Sequence, residues 1–134
     1  MSLDSTIVRI IKDEGFRSKP YKDTLGVLTF GHGLTFITDS ESAAIVQKRV
    51  SDLINLTVPK YWPDVLNNET VVEVLAEMVY QMGVRGVQGF RRMLRALEAG
   101  EYRKAADEML DSQWHQQTKL RCERAADRIR ALET

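Results

Sequence analysis

The chain reads as an α+β protein, predominantly helical, with a small β-hairpin or ribbon in a first lobe and helices in a second. Three observations predict this. Apolar residues recur at helical spacing through most of the 134 residues. Residues 17–36 break that period and carry Pro20, Gly26, Gly31 and Gly33 around the apolar "VLTF". A hydrophobic share of 43% beside a charged share of 28% is that of a folded soluble domain, and 15.3 kDa is the size of one domain.

The elements follow in order. Asp4 or Ser5 caps a first helix over about 4–13, with Ile7, Val8, Ile10 and Ile11 as its buried face and Gly15 as its stop. A short hairpin or three-stranded ribbon comes next, so the first lobe spans about 14–38. "TDSE", Thr38 to Glu41, is a capping box that opens a bridging helix over about 39–56, with Ile45, Val46, Val50, Leu53 and Ile54 at helical spacing. Pro59 and Pro63 in "TVPKYWP" interrupt it, and Tyr61 and Trp62 cover core.

The second lobe is expected over about 57–134, joined by the 4–13 helix, within a single domain of residues 1–134. Asn67 or Asn68 starts a helix whose Val71, Leu75, Met78, Val79 and Met82 share a face until Gly83 ends it. "GVRGVQGF" reads as a glycine-spaced connection. "RRMLRALEAG", "EYRKAADEMLDSQW" and "TKLRCERAADRIRALE" read as three further amphipathic helices.

Residues 13–33, "DEGFRSKPYKDTLGVLTFGHG", place three carboxylates and four glycines where a helix gives way to a hairpin. Glu14 stands at the helix end, and Asp23 and Thr29 follow with eight and then five residues between. Hydrolysis of a glycosidic bond uses one carboxyl as proton donor and a second carboxylate across the bond, and a hydroxyl can help hold the attacking water. A helix end, a turn and a strand are rigid supports for such a set, and the glycines allow a sharp turn and close approach of a sugar. Taken alone, Asp23 reads as a turn residue and Glu14 as a solvated last-turn residue.

The stretch "EGFRSKPYKDTLGVLTFGHG" resembles the signature of the phage-type lysozymes of glycoside hydrolase family 24, in particular the T-even phage endolysins: a Glu-Gly after the first helix, a Tyr-x-Asp turn and a Gly-x-x-Thr-x-Gly-x-Gly hairpin. "MVYQMGVRGVQGF" (78–90) and "SQWHQQTKLR" (112–121) resemble the family's second-lobe motifs in the same order. The resemblance covers nearly the whole chain and implies a two-lobed lysozyme-like fold. It makes Glu14 the general acid, Asp23 the carboxylate that activates or orients water, and Thr29 the hydroxyl beside that water. It places Gly33 close to the sugar, Gln81 and Phe90 along the cleft, and Arg121 toward the catalytic glutamate in a supporting role, with Trp114 and Thr118 structural. The implied reaction is cleavage, with inversion, of the β-1,4 bond between N-acetylmuramic acid and N-acetylglucosamine in bacterial peptidoglycan. The implied setting is a monomeric phage or prophage endolysin in the host cytoplasm that depends on a holin to reach periplasmic peptidoglycan.

Two departures stand out. The family carries histidine directly after the second hairpin glycine, whereas here the order is Gly31, His32, Gly33, Leu34. "GLTF" also runs almost straight into "ITDSES", where the T-even endolysins have roughly twenty more residues of first lobe, so distal sugar subsites are expected to be weaker. His32 reads as an exposed hairpin residue. A protein that keeps the fold and binds peptidoglycan with weak or no turnover is the alternative.

Composition excludes several other classes. Formal net charge is zero, with eleven Lys/Arg against eight Asp/Glu in residues 85–134, and no aromatic residue interleaves the arginines of "RRMLR", so no nucleic-acid partner is expected. No apolar run approaches a membrane span, and the basic residues of the last helix alternate with Glu123, Asp127 and Glu133, so no stable membrane association is expected. "MSLDSTIVRIIKDEGF" lacks a basic start and a long apolar core, so it does not read as a secretory signal. With one cysteine, Cys122, reading as a small buried hydrophobe, and two histidines, no metal site or cofactor is expected.

Overall fold

The computed structural model describes residues 3–133 and is helical apart from one two-stranded antiparallel sheet. The chain divides into two compact units, one ending at Ile45 and the other starting at Val46.

In the first unit, helix α1 (Leu3–Glu14) ends at Gly15, which adopts φ +67° and donates its N–H to the Ile11 carbonyl at 3.0 Å. Only glycine takes up that left-handed turn without strain. Within this unit the expected buried face is not covered: α1 buries no residue here, and Ile7, Val8, Ile10 and Ile11 are exposed. The rest of this unit explains it, since a hairpin of one six-residue and one four-residue strand offers no apolar platform of helix length. Strands β1 (Arg17–Lys22) and β2 (Leu28–Gly31) pair in the register Arg17 with Gly31, Tyr21 with Thr29 and Lys22 with Leu28. The register slips between Arg17 and Tyr21, where Pro20 has no N–H to give the ladder. The ribbon has two strands rather than three; Phe30 and Leu34 add only an isolated bridge.

The capping box forms as expected. Thr38 donates its N–H and its hydroxyl to Glu41 Oε1 at 2.9 and 2.8 Å, and Glu41 N–H donates to Thr38 Oγ1 at 3.2 Å, opening α2 (Asp39–Asp52). Pro59 does not interrupt the helical path. A π turn over Leu53–Thr57 lets the Val58 N–H bond five residues back, to Leu53, before α3 (Val58–Tyr61). In a regular α-helix the Pro59 ring would collide with the carbonyl four residues earlier. After the wider turn Pro59 falls at the start of α3, where an N–H is not needed. The path ends at Trp62, whose φ −136° and ψ 62° leave the helical region disfavoured for a residue before proline. Trp62 enters the core as expected, whereas Tyr61 points outward.

The core lies in the second unit. Asn68 caps α4 (Glu69–Gln88), accepting from Val71 N–H at 3.2 Å, and Val71, Val74, Leu75 and Met78 form a fully buried stripe. Each such side chain contributes about 1.5–3 kcal/mol on burial. Gly83 breaks α4 at φ 79° and ψ 167°, but the helix resumes, so "VRGVQ" is helical where a connection was expected; its Val87 joins the core and draws the turn in. Helices α5 (Arg91–Glu98), α6 (Tyr102–Leu110) and α8 (Lys119–Arg130) pack around it. The buried pairs Ala105–Ala106 on α6 and Ala125–Ala126 on α8 let those two helices approach closely. "EYRKAADEMLDSQW" is two helices, because Ser112 accepts from His115 N–H at 3.4 Å and caps a separate α7 (Gln113–Gln117).

The basic face of α8 is not simply solvated. Arg128 bridges to Glu73 and Glu77 of α4 at 2.6 and 2.9 Å, and Arg130 to Asp107 of α6 at 2.7 Å. No helix is long and apolar enough to cross a membrane among the described residues.

Candidate active site

Glu14 is the last residue of α1 and is exposed. Its carboxyl lies directly against Gly33. A Cβ built on Gly33 would collide with Oε2 and come within 2.6 Å of Cδ and 3.0 Å of Cγ. Gly33 also holds φ +73°, where any side chain is strained, and a Cβ there would make the Glu14 carboxyl arm shift.

Asp23 follows β1 and builds its own turn. Its Oδ1 accepts from Leu25 N–H at 2.9 Å and from Val27 N–H at 2.8 Å, and its N–H donates to the Val27 carbonyl at 2.9 Å. Thr29 in β2 is the one buried polar residue among those described. Its hydroxyl donates to the same Val27 carbonyl at 3.0 Å. Val27 therefore anchors both side chains through one backbone unit. Chemically, Thr29 Oγ1 has spent its proton on Val27 and keeps lone pairs, and the turn's bonds to the Asp23 carboxylate use Oδ1. Together they are a set of acceptors suited to a water molecule's protons.

His32 is not the exposed hairpin residue expected. It is half-buried, its Nδ1–H donates to the Gly15 carbonyl at 2.9 Å, and its ring stands 5.2 Å from that of Phe16.

In the second unit, the Gln81 amide is held at both ends. Trp114 Nε1–H donates to Gln81 Oε1 at 3.0 Å, Gln81 Nε2 donates to Thr118 Oγ1 at 3.2 Å, and the Thr118 hydroxyl donates to the Trp114 carbonyl at 3.2 Å. Trp114 is buried, and Phe90 meets its ring edge-on at 6.2 Å. Gln81 and Phe90 line a concavity of about 280 Å³ with Met82, Gln113 and Gln117. The triangle fixes the shape of that wall while leaving the Gln81 amide one further donor and acceptor. Arg121 is exposed on α8, in an open groove of about 660 Å³ with Glu73, Glu77, Tyr80 and Arg124.

Residues 11–130 match the phage lysozyme family. The chain belongs to that family. Within it, the chain is 30% identical to a probable T4-type lysozyme of Dictyostelium discoideum over 166 aligned positions, covering 97% of this chain and 95% of the relative. A second Dictyostelium discoideum protein of the same description is 28% identical over 147 positions, covering 84% of this chain and 85% of that one. The pre-baseplate central spike protein Gp5 of Enterobacteria phage T4 is 31% identical over 84% of this chain, which spans 25% of that protein's length.

Cys122 behaves as expected of a core residue. It is fully buried, its Sγ–H donates to the Met109 carbonyl at 3.2 Å, and burial, reinforced by the Glu123 charge, pushes its thiol up to about 11. Sequence reading missed the His32 contact, and its only available signal was a histidine between two glycines. It also missed the anchoring of both Asp23 and Thr29 on Val27, which no residue type announces.

Proposed function

We propose that this phage lysozyme family member is a peptidoglycan hydrolase that cleaves the β-1,4 bond between N-acetylmuramic acid and N-acetylglucosamine. The observation that carries the reading is the rigid placement of Asp23 and Thr29 on Val27, in the same unit as a glutamate that is packed on a glycine. Glu14 donates a proton to the glycosidic oxygen as the bond to the anomeric carbon breaks. Water held by Thr29 Oγ1 and Asp23 attacks that carbon, and Asp23 takes the proton the water loses. In the first unit Gly33 contacts the sugar, and Gln81, Phe90 and Arg121 have the roles the family resemblance implies. A water molecule between the carboxyls gives inversion of configuration, which needs them roughly 6.5–9.5 Å apart.

The alignments to the Dictyostelium relatives run over 166 and 147 positions, more than the 134 residues of this chain, so those relatives carry residues it lacks. We assign the missing residues to the segment between Phe36 and Thr38, which lowers the sugar-binding wall and weakens distal subsites. The setting is a monomeric phage or prophage endolysin that reaches the wall once a holin has opened the inner membrane.

The test is release of reducing ends from purified, outer-membrane-stripped Gram-negative peptidoglycan by the wild type and Glu14→Gln, with folding checked by circular dichroism. Release by the wild type alone is expected. No release by either folded protein would leave a peptidoglycan-binding protein without turnover. Equal release by both would sink Glu14 as the acid. The anomer first formed, read by proton NMR, reports inversion or retention.

A further inference from the structure

We propose that His32 is a positioning residue for Glu14: it straps the end of the hairpin to the end of α1 and so holds Gly33 against the catalytic carboxyl. The proposal rests on the reading of Glu14 as the general acid and adds a residue to that machinery.

Glu14 is poorly placed to define its own position. It is the last residue of a helix that buries none of its side chains, followed at once by a glycine in the left-handed region. Such an end frays unless something outside the helix fixes it. What meets it is the tripeptide Gly31-His32-Gly33, in antiparallel order. Gly31 pairs with Arg17 in the sheet, His32 meets Phe16 and Gly15, and Gly33 meets Glu14. Of these three, His32 alone supplies a side-chain hydrogen bond. A carbonyl oxygen only accepts, so Nδ1 carries the proton and the His32 ring is committed in both tautomer and orientation by the 2.9 Å bond to Gly15. The ring contact with Phe16 at 5.2 Å fixes its second side.

The consequence is mechanical. Glycines on either side leave His32 as the only side chain in the tripeptide, and without it the Gly33 backbone is free to lift from Glu14. A proton donor displaced by about 1 Å from its productive position loses on the order of a hundredfold in rate, while substrate contacts elsewhere are untouched. The strap therefore acts chiefly on kcat, and KM changes only by what the single Gly33 backbone contact with the sugar contributes.

The variants separate this from a general loss of stability. An asparagine side chain presents an N–H near the position of the histidine Nδ1–H, whereas glutamine presents one near that of Nε2. Reducing-end release is measured for the wild type, His32→Ala, His32→Gln and His32→Asn, with thermal melting to confirm folding. His32→Ala and His32→Gln are expected to lower kcat about tenfold or more with KM within about twofold, and His32→Asn to recover most of the loss. In folded variants, unchanged kcat in His32→Ala, or His32→Asn as slow as His32→Gln, overturns the proposal. The Asn and Gln pair decides it if the alanine variant does not fold. A second readout needs no turnover: the carbon-13 resonance of the Glu14 carboxyl is expected to move in His32→Gln and return in His32→Asn. Should the wild type release no reducing ends, the hydrolase reading fails by itself, and an unmoved Glu14 resonance in His32→Gln would then count against the strap.

Discussion

Gly33 and Glu14 are in close contact: a Cβ at position 33 would stand 2.6 Å from the Glu14 Cδ, so the carboxyl arm would have to shift, and the backbone holds φ +73°, where a side chain is strained. Gly26 offers the natural comparison, since it holds φ +80° but a Cβ there meets nothing within 4 Å. Gly26→Ala should cost about 1–2 kcal/mol of backbone strain and leave hydrolysis intact. Gly33→Ala should cost at least as much and also lower reducing-end release by about tenfold or more, because the carboxyl must move. Thermal melts and rates of the two variants, measured side by side, check the difference; equal activity would mean the contact does not matter.

The capping box makes stability depend on pH with a definite sign. Hydrogen bonds from the Thr38 backbone N–H and then its hydroxyl hold the Glu41 carboxyl below its ordinary value of 4.5. Its contribution is therefore fully present above pH 4.5 and is lost as the pH falls through the lower folded value. Glu41→Gln removes that dependence. Denaturation at several pH values should show the wild type's advantage over Glu41→Gln at neutral pH shrinking toward zero in acid, and an advantage that grows in acid would contradict the bonding described.

Gln81 is held by Trp114 and Thr118, and Gln81→Ala deprives both of their partner. Two lost bonds at a part-buried site correspond to a destabilisation of about 1–3 kcal/mol. The indole loses its acceptor as well, so near-ultraviolet circular dichroism of Trp114 should change with the melting temperature. A variant as stable as the wild type would show that water replaces the amide without loss.

Cys122, bonded through Sγ–H to the Met109 carbonyl and with its thiol pushed up to about 11 by burial and the Glu123 charge, should be inert to a thiol reagent at pH 8 in the folded protein. It should react at once in denaturant. Rapid labelling of the native state would place the α6–α8 contact among the parts that open readily.

Much of the fold was legible in residue order. Thr38 to Glu41, Asn68 and Gly15 act within three or four residues of themselves, and the bonds they make are those their types predict. The Val71–Met78 stripe is buried because one helix face repeats every three to four residues. The expectations that failed depended on more distant context. Ile7, Val8, Ile10 and Ile11 have the right spacing for a buried face, but spacing does not supply the surface that covers them. Pro59 is a helix breaker by type, yet the π turn ahead of it gives it a place at a helix start.

The candidate site divides along the same line. By itself the sequence determined the types and order of Glu14, Asp23 and Thr29 and the helix, turn and strand that carry them, because these follow from local periodicity and turn chemistry. Only the tertiary structure decided that Gly33 lies on the Glu14 carboxyl, that His32 reaches back 17 residues to Gly15, and that Gln81 is clamped between Trp114 and Thr118. A hydrogen bond or a steric contact depends on distances of a few tenths of an ångström. Residues 17 to 37 positions apart reach such distances only once register, turn and helix packing have brought their backbones together.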